Sequence, residues 1–290
     1  MTKMQKQGAG FAALLIVSVV LGWNPLCRTL ALSWRNDEYT YILLLLPFSI
    51  AVSLAGQSSS RFEWKWDPAA GVPVCVTAAA LWAAGHLASA HLTSDLRLST
   101  DMLALVLSWL GCFVLCFGRE AARSKLFSLL LLFGMVPLPD FAMERIVAWL
   151  QKGSAWSAHA LFVAFGVPVI RHGVLLSIPN LTIQVAEECS SIRSSSMLLV
   201  TAMISAKVLV RSPWRRLMII LLAVPLSVAK NGLRIFVIAM LGTRVDPGYL
   251  TGKLHRQGGI LFFIIALAGI FAAITIARKR EACISPNLRP

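Results

Sequence analysis

Three side chains suited to acyl transfer interrupt a sequence that is otherwise mostly apolar: the thiol of Cys189, the guanidinium of Arg234 and the imidazole of His255. A thiol attacks a carbonyl carbon only as its thiolate, which requires a nearby cation, a helix N-terminus or a general base. Cys189 stands in "VAEECSSIRSSSMLL", where polar sequence gives way to an apolar helix, and Arg193 follows one helical turn later on the same face. Arg234 stands in "PLSVAKNGLRIFVIAMLG", where Lys230 and Asn231 also break an apolar run. Charges inside a membrane span are costly unless they face a polar cavity or a partner, so all three mark a candidate site. His255 stands in "GKLHRQGGILFF", just before the last apolar run. A nucleophile, an oxyanion stabiliser and a general base are thereby expected from three separate helices at one membrane face. His86, His91, His159 and His172 fall at a span end or in a long loop and read as surface residues. Cys112 and Cys116 share a helix face and read as small packing residues.

The elements that must position these groups follow from composition. The chain has 290 residues, 57% hydrophobic and 14% charged, with a mean hydropathy of +0.74. That apolar content exceeds what one water-soluble core would bury, so the chain reads as an integral membrane protein in contact with the lipid bilayer. Eight charge-poor windows are expected to be spans: roughly Ala9–Trp23, Thr40–Gly56, Ala69–Leu87, Asp101–Gly118, Lys125–Leu138, Cys189–Val210, Leu217–Gly242 and Gly258–Ala277. The net charge of +14 comes from short basic clusters between these windows, a distribution that fits a membrane topology rather than nucleic-acid binding. With the N-terminus inside, the inner segments hold the larger share of Lys and Arg, which puts both termini in the cytoplasm and the site on the outer face. The first apolar stretch lacks a small-residue cleavage site and reads as a retained helix.

Short loops and the absence of repeats predict a single integral membrane domain over 1–290. One connection, 139–188, is long and lies outside by this topology. Its first half, "DFAMERIVAWLQKGSAWSAHALFVAFG", has apolar residues at helical spacing and predicts an amphipathic helix on the membrane surface or capping the bundle. Its second half has β-branched runs punctuated by His172-Gly173 and Pro179-Asn180 and predicts a small β-hairpin leading to Cys189. The expected fold is an all-α polytopic membrane protein of about eight transmembrane helices with this extracytoplasmic insertion.

Six stretches in order, "SWRNDEYTY", "LLLLFGMVPLPDF", "FGVPVIRHGVLLSIPN", "EECSSIRSSSMLL", "VPLSVAKNGLRI" and "HRQGG", resemble the exosortase/archaeosortase family of membrane transpeptidases over most of the chain. The resemblance implies a cysteine peptidase of the bacterial inner membrane. Its partners would be exported proteins that end in a sorting signal of the PEP-CTERM type and a transmembrane anchor, transferred to a cell-surface acceptor. It assigns the catalytic roles to Cys189, Arg234 and His255. Arg193, Asn231, Glu188 and Ser190 are expected to support them, and without a metal-ligand set or a nucleotide-phosphate loop the reaction is expected to need no cofactor or metal. The chain departs from the family pattern at Ser191, where members often have glycine, and at Tyr41, where many have histidine.

Other chemistries fit the sequence less well. No C-x-x-C pair occurs, which counts against a thiol oxidase, and no H-E-x-x-H set appears. Glu187, Glu188 and Arg193 approach the glutamate signature of CAAX-type intramembrane proteases, but with one residue too many between them and no histidine well inside a span. An envelope transporter or export assembly factor, with Lys230 and Arg234 lining a path, would be expected to show repeats and broken helices near mid-membrane.

Overall fold

The computed structural model of the chain describes residues 3–55, 65–88, 90–185, 192–250 and 259–284. They divide into two compact units, Met1–Met143 and Glu144–Pro290.

In the first unit, α1 (Lys3–Leu21) and α2 (Trp23–Arg35) form a pair bent by 72°. A 3-10 turn, Asp37–Tyr39, follows, capped by Asn36, whose Oδ1 accepts the Glu38 amide at 3.0 Å. The buried Tyr39 hydroxyl donates to the Leu138 carbonyl at 3.0 Å. Burial, with the neighbouring carboxylates of Asp140 and Glu38, pushes the Tyr39 phenol up to about 12, so it stays a donor throughout the neutral range.

Next come α3 (Ile42–Ala55) and, later in the chain, α6 (Leu126–Phe133), which pack against each other. Ser49 on α3 donates to the Ser128 carbonyl on α6 at 2.8 Å. Between them in sequence lie α4 (Pro68–Leu87) and α5 (Ser94–Ser124). These two approach closely because small residues line the contact. A Cβ on Gly71 would lie 2.5 Å from the Leu115 Cα, and one on Gly111 would lie 2.6 Å from the Cys75 sulfur. Cys112 and Cys116 are buried in α5, as packing residues would be.

A break interrupts α5 at Gly118, with φ 83° and ψ 166°, a region that essentially only glycine enters. Just beyond it, Arg119 Nε donates to Asp67 Oδ2 at 2.8 Å, and Asp67 also caps α4 by accepting the Ala70 amide at 3.1 Å. The Arg119 hydrogen bond holds the Asp67 carboxyl below the usual range. Gly118→Ala strains this junction twice, since the added Cβ would lie 2.9 Å from the Lys65 carbonyl oxygen. The expected cost is about 1–3 kcal/mol, read as a lowered unfolding midpoint in detergent.

The second unit begins within α7 (Asp140–Ala164). One face of α7 buries Ser154, Ala155, Ala158 and Phe162 completely, while Trp149, Trp156 and Val163 are exposed. Three short antiparallel strands follow in the order β1 (Ile170–His172), β2 (Leu175–Ile178) and β3 (Leu181–Gln184). The expected hairpin is thus a three-stranded meander. Gly173 and Asn180, both at φ 64°, supply the two left-handed turn residues.

The remaining elements are α8 (Ile192–Leu209), α9 (Pro213–Arg244), a 3-10 turn at Pro247–Leu250, and α10 (Gly259–Ile284). Leu198, Ala202, Ile219, Ala223, Ile270 and Ile274 form the buried core shared by α8, α9 and α10. At the turn between α8 and α9, the Glu281 carboxylate of α10 accepts the amides of Arg211 at 3.1 Å and Ser212 at 2.8 Å, an anion at a helix start. Further along α9, Ile235, Phe236 and Ala239 pack with Leu176 and Ile178 of β2 and Phe162 of α7.

Among the described residues, α4, α5, α8, α9 and α10 are long and apolar enough to cross a bilayer, and the bent pair α1–α2 makes a sixth crossing if it counts as one. Five to six of the expected eight spans are thus found among the described residues. Within those residues the windows Thr40–Gly56 and Lys125–Leu138 hold helices of 14 and 8 residues, the first running to the last residue described in its segment. In the second window Pro137 and Pro139 bar helical continuation beyond Gly134.

Candidate active site

The polar interruption of α9 is where buried polar chemistry collects in the second unit. Lys230 and Asn231 are 5% and 1% exposed. The Lys230 Nζ donates to the Asn231 Oδ1 at 2.7 Å and to the Ser194 Oγ at 2.6 Å. Ser194 lies in the first turn of α8, so a buried ammonium ties the start of α8 to the middle of α9. A cation buried in a span is tolerated when its N–H groups find acceptors, and here two do.

Close approach of a third helix supports this geometry. Gly232 faces α7, where a Cβ would lie 2.4 Å from the Ser157 Oγ, and Gly153 faces Val228, with a corresponding distance of 3.1 Å. Glycines on both helices bring α7 against the same turn of α9 that carries Lys230 and Asn231.

One turn beyond Lys230, the partly buried Arg234 reaches the start of α10. Its Nη1 lies 3.9 Å from where a Cβ would stand on Gly259. Arg234 also lines a pocket of about 190 Å³ with Leu181, Thr182 and Ile183 of β3, Ile235 and Ile238 of α9, and Leu250. Lys230 and Arg234 therefore set two cationic side chains one turn apart, the first against the start of α8 and the second against the start of α10. Two cationic side chains one turn apart favour a negatively charged group beside them.

Of the seven residues singled out from the sequence, Arg234, Asn231 and Arg193 are described. Asn231 and Arg234 share this region, and Arg193 is exposed at the start of α8. Cys189, His255, Glu188 and Ser190 lie outside the described residues. Along the chain, Cys189 precedes Ile192 by three residues and His255 precedes Gly259 by four, so each belongs to the segment that feeds one of the two helix starts near Arg234 and Lys230.

Sequence reasoning missed Ser194 as the acceptor of Lys230 and missed the contribution of β3 to the pocket beside Arg234. Ser194 is one of five serines between 190 and 196, with nothing in the pattern to mark it.

Comparison with curated proteins and with solved structures finds no match. Residues 33–272, which include every element from the end of α2 to the middle of α10, match the family model for the transmembrane exosortases, and the chain belongs to that family of membrane proteins.

Proposed function

We propose that the chain is a membrane cysteine transpeptidase that cuts the C-terminal sorting signal of exported proteins and passes the new C-terminus to a cell-surface acceptor. Family membership supports sorting-signal processing in general. The observation that carries the finer reading is the cationic region in which Lys230 and Arg234 meet the starts of α8 and α10, the helices that follow Cys189 and His255 in the chain.

In this reading the Cys189 thiolate attacks the scissile carbonyl, and the tetrahedral oxyanion is held by Arg234. The C–N bond then breaks, His255 in its protonated form gives a proton to the leaving amine, and a thioester remains on Cys189. Neutral His255 next takes a proton from the acceptor nucleophile, which attacks the thioester and expels the thiolate. Asn231 holds Lys230, while Glu188, Ser190 and Arg193 flank the nucleophile and offer it hydrogen bonds and charge. The pocket beside Arg234 is walled by Leu181, Ile183, Ile235 and Ile238 and suits an apolar side chain next to the scissile bond. The enzyme sits in the bacterial inner membrane with both termini in the cytoplasm, its site faces the periplasm, and the substrate's own anchor delivers the signal laterally through the bilayer.

A thioester intermediate is captured by hydroxylamine. Incubation of the purified enzyme with substrate and hydroxylamine is expected to yield substrate ending in a hydroxamate, identified by mass spectrometry. Processed substrate that carries only a free carboxylate at every hydroxylamine concentration would overturn the covalent mechanism.

A further inference from the structure

The first unit contains a cavity that the proposed chemistry does not use. It measures about 320 Å³ and lies where the α1–α2 bend meets α4 and α5, walled mainly by Leu21, Gly22, Ala78, Ala79, Trp82 and Leu105. That volume is at the lower end of the roughly 300–1,000 Å³ typical of ligand sites.

One wall residue is out of keeping with the rest. Asp101 of α5 lines the cavity with its side chain only 11% exposed. Its Oδ1 is buried and accepts no hydrogen bond among the described residues. The nearest group able to carry charge, His86 Nδ1, is 3.9 Å away and already donates to the Trp82 carbonyl at 3.0 Å. The two wall hydroxyls cannot serve, since Ser18 donates to the Leu15 carbonyl at 2.8 Å and Ser108 to the Leu105 carbonyl at 2.7 Å. A buried carboxylate oxygen without a donor is expensive, and such an exception calls for an explanation. Water would satisfy the oxygen but would leave the apolar volume around it unfilled.

Position identifies an occupant that meets both demands. Asp101 opens the apolar window Asp101–Gly118 read as a span, which puts it at the edge of the hydrocarbon, and the cavity wall continues one and two turns deeper along α5 at Ala104, Leu105 and Ser108. A headgroup atom at that edge reaches Asp101 while its acyl chain lies along the deeper wall. We infer that this cavity binds a phospholipid with an ethanolamine headgroup, whose ammonium N–H donates to Asp101 Oδ1. Choline carries the same charge but has no N–H to donate, and a glycerol headgroup leaves the lipid anionic and repelled by the carboxylate.

Native mass spectrometry of the full chain, exchanged into defined lipids, tests this. Wild type is expected to retain one dioleoyl phosphatidylethanolamine about tenfold more strongly than dioleoyl phosphatidylcholine or dioleoyl phosphatidylglycerol. Asp101→Leu removes the acceptor and is expected to abolish the preference for ethanolamine. Ala79→Phe, at an exposed position on the cavity wall, keeps the carboxylate but obstructs the cavity and is expected to lower retention of all three lipids several-fold. The inference fails if wild type shows no headgroup preference, if Asp101→Leu keeps it, or if Ala79→Phe retains lipid as wild type does.

Discussion

Cys189→Ala is expected to slow release of the C-terminal signal from a native substrate by about a thousandfold or more, with the unfolding midpoint of the enzyme unchanged. Removal of a nucleophile takes away the covalent route altogether, and what remains is binding and electrostatic stabilisation of direct hydrolysis. Serine at the same position keeps the shape but loses the acidity of the thiol, so Cys189→Ser is expected to fall near the alanine variant rather than near wild type. Processing is measured by intact mass of the substrate recovered from membranes. Glu187→Gln provides the contrast: a glutamate-activated water would make it as damaging as the cysteine change, whereas a thiolate nucleophile leaves it mild. Normal substrate processing by Cys189→Ala would end the transpeptidase reading.

The outcome bears on how such a site can be read from residues. Lys230, Asn231 and Arg234 were conspicuous because polar groups inside an apolar helix need a physical reason, and the structure supplies one for Lys230 in two hydrogen bonds and near-complete burial. Ser194 carried no such signal. Its role depends on which residue of α8 meets α9, and tertiary packing decides that.

Composition located the apolar windows, and five to six of the eight fall, among the described residues, on helices long and apolar enough to cross a membrane. An apolar run can also form a short helix packed against another, as α3 and α6 are around the Ser49–Ser128 contact. The helix stop at Gly134 was written in Pro137 and Pro139, but a hydropathy window averages over such residues. The strands were undercounted. Both turn signals, His172-Gly173 and Pro179-Asn180, were legible, and two reversals need three strands, not two. The cavity around Asp101 had no sequence signature, because it depends on the 72° bend between α1 and α2.

Arg234 carries the second large effect. Arg234→Ala is expected to lower kcat by about 10²–10³, the magnitude typical of removing one donor from an oxyanion hole, with KM little changed. A guanidinium that stabilises the thiolate and the oxyanion that develops from its attack affects the rate far more than substrate binding. Lysine retains the charge but not the planar fork of donors, and its shorter reach no longer spans to the start of α10, so Arg234→Lys is expected to recover only a small part of the loss. A structural role for Arg234 would predict something else: a lowered unfolding midpoint and a loss of activity independent of pH. The electrostatic role predicts that alkylation of Cys189 by iodoacetamide, followed against pH, shifts to higher pH in Arg234→Ala, because a cation that stabilises the thiolate has been removed. An unshifted alkylation profile together with a lowered unfolding midpoint would reassign Arg234 to packing around the pocket formed by β3 and α9. An unchanged midpoint, a shifted profile and a kcat reduced by two to three orders of magnitude would place the guanidinium at the reacting carbonyl.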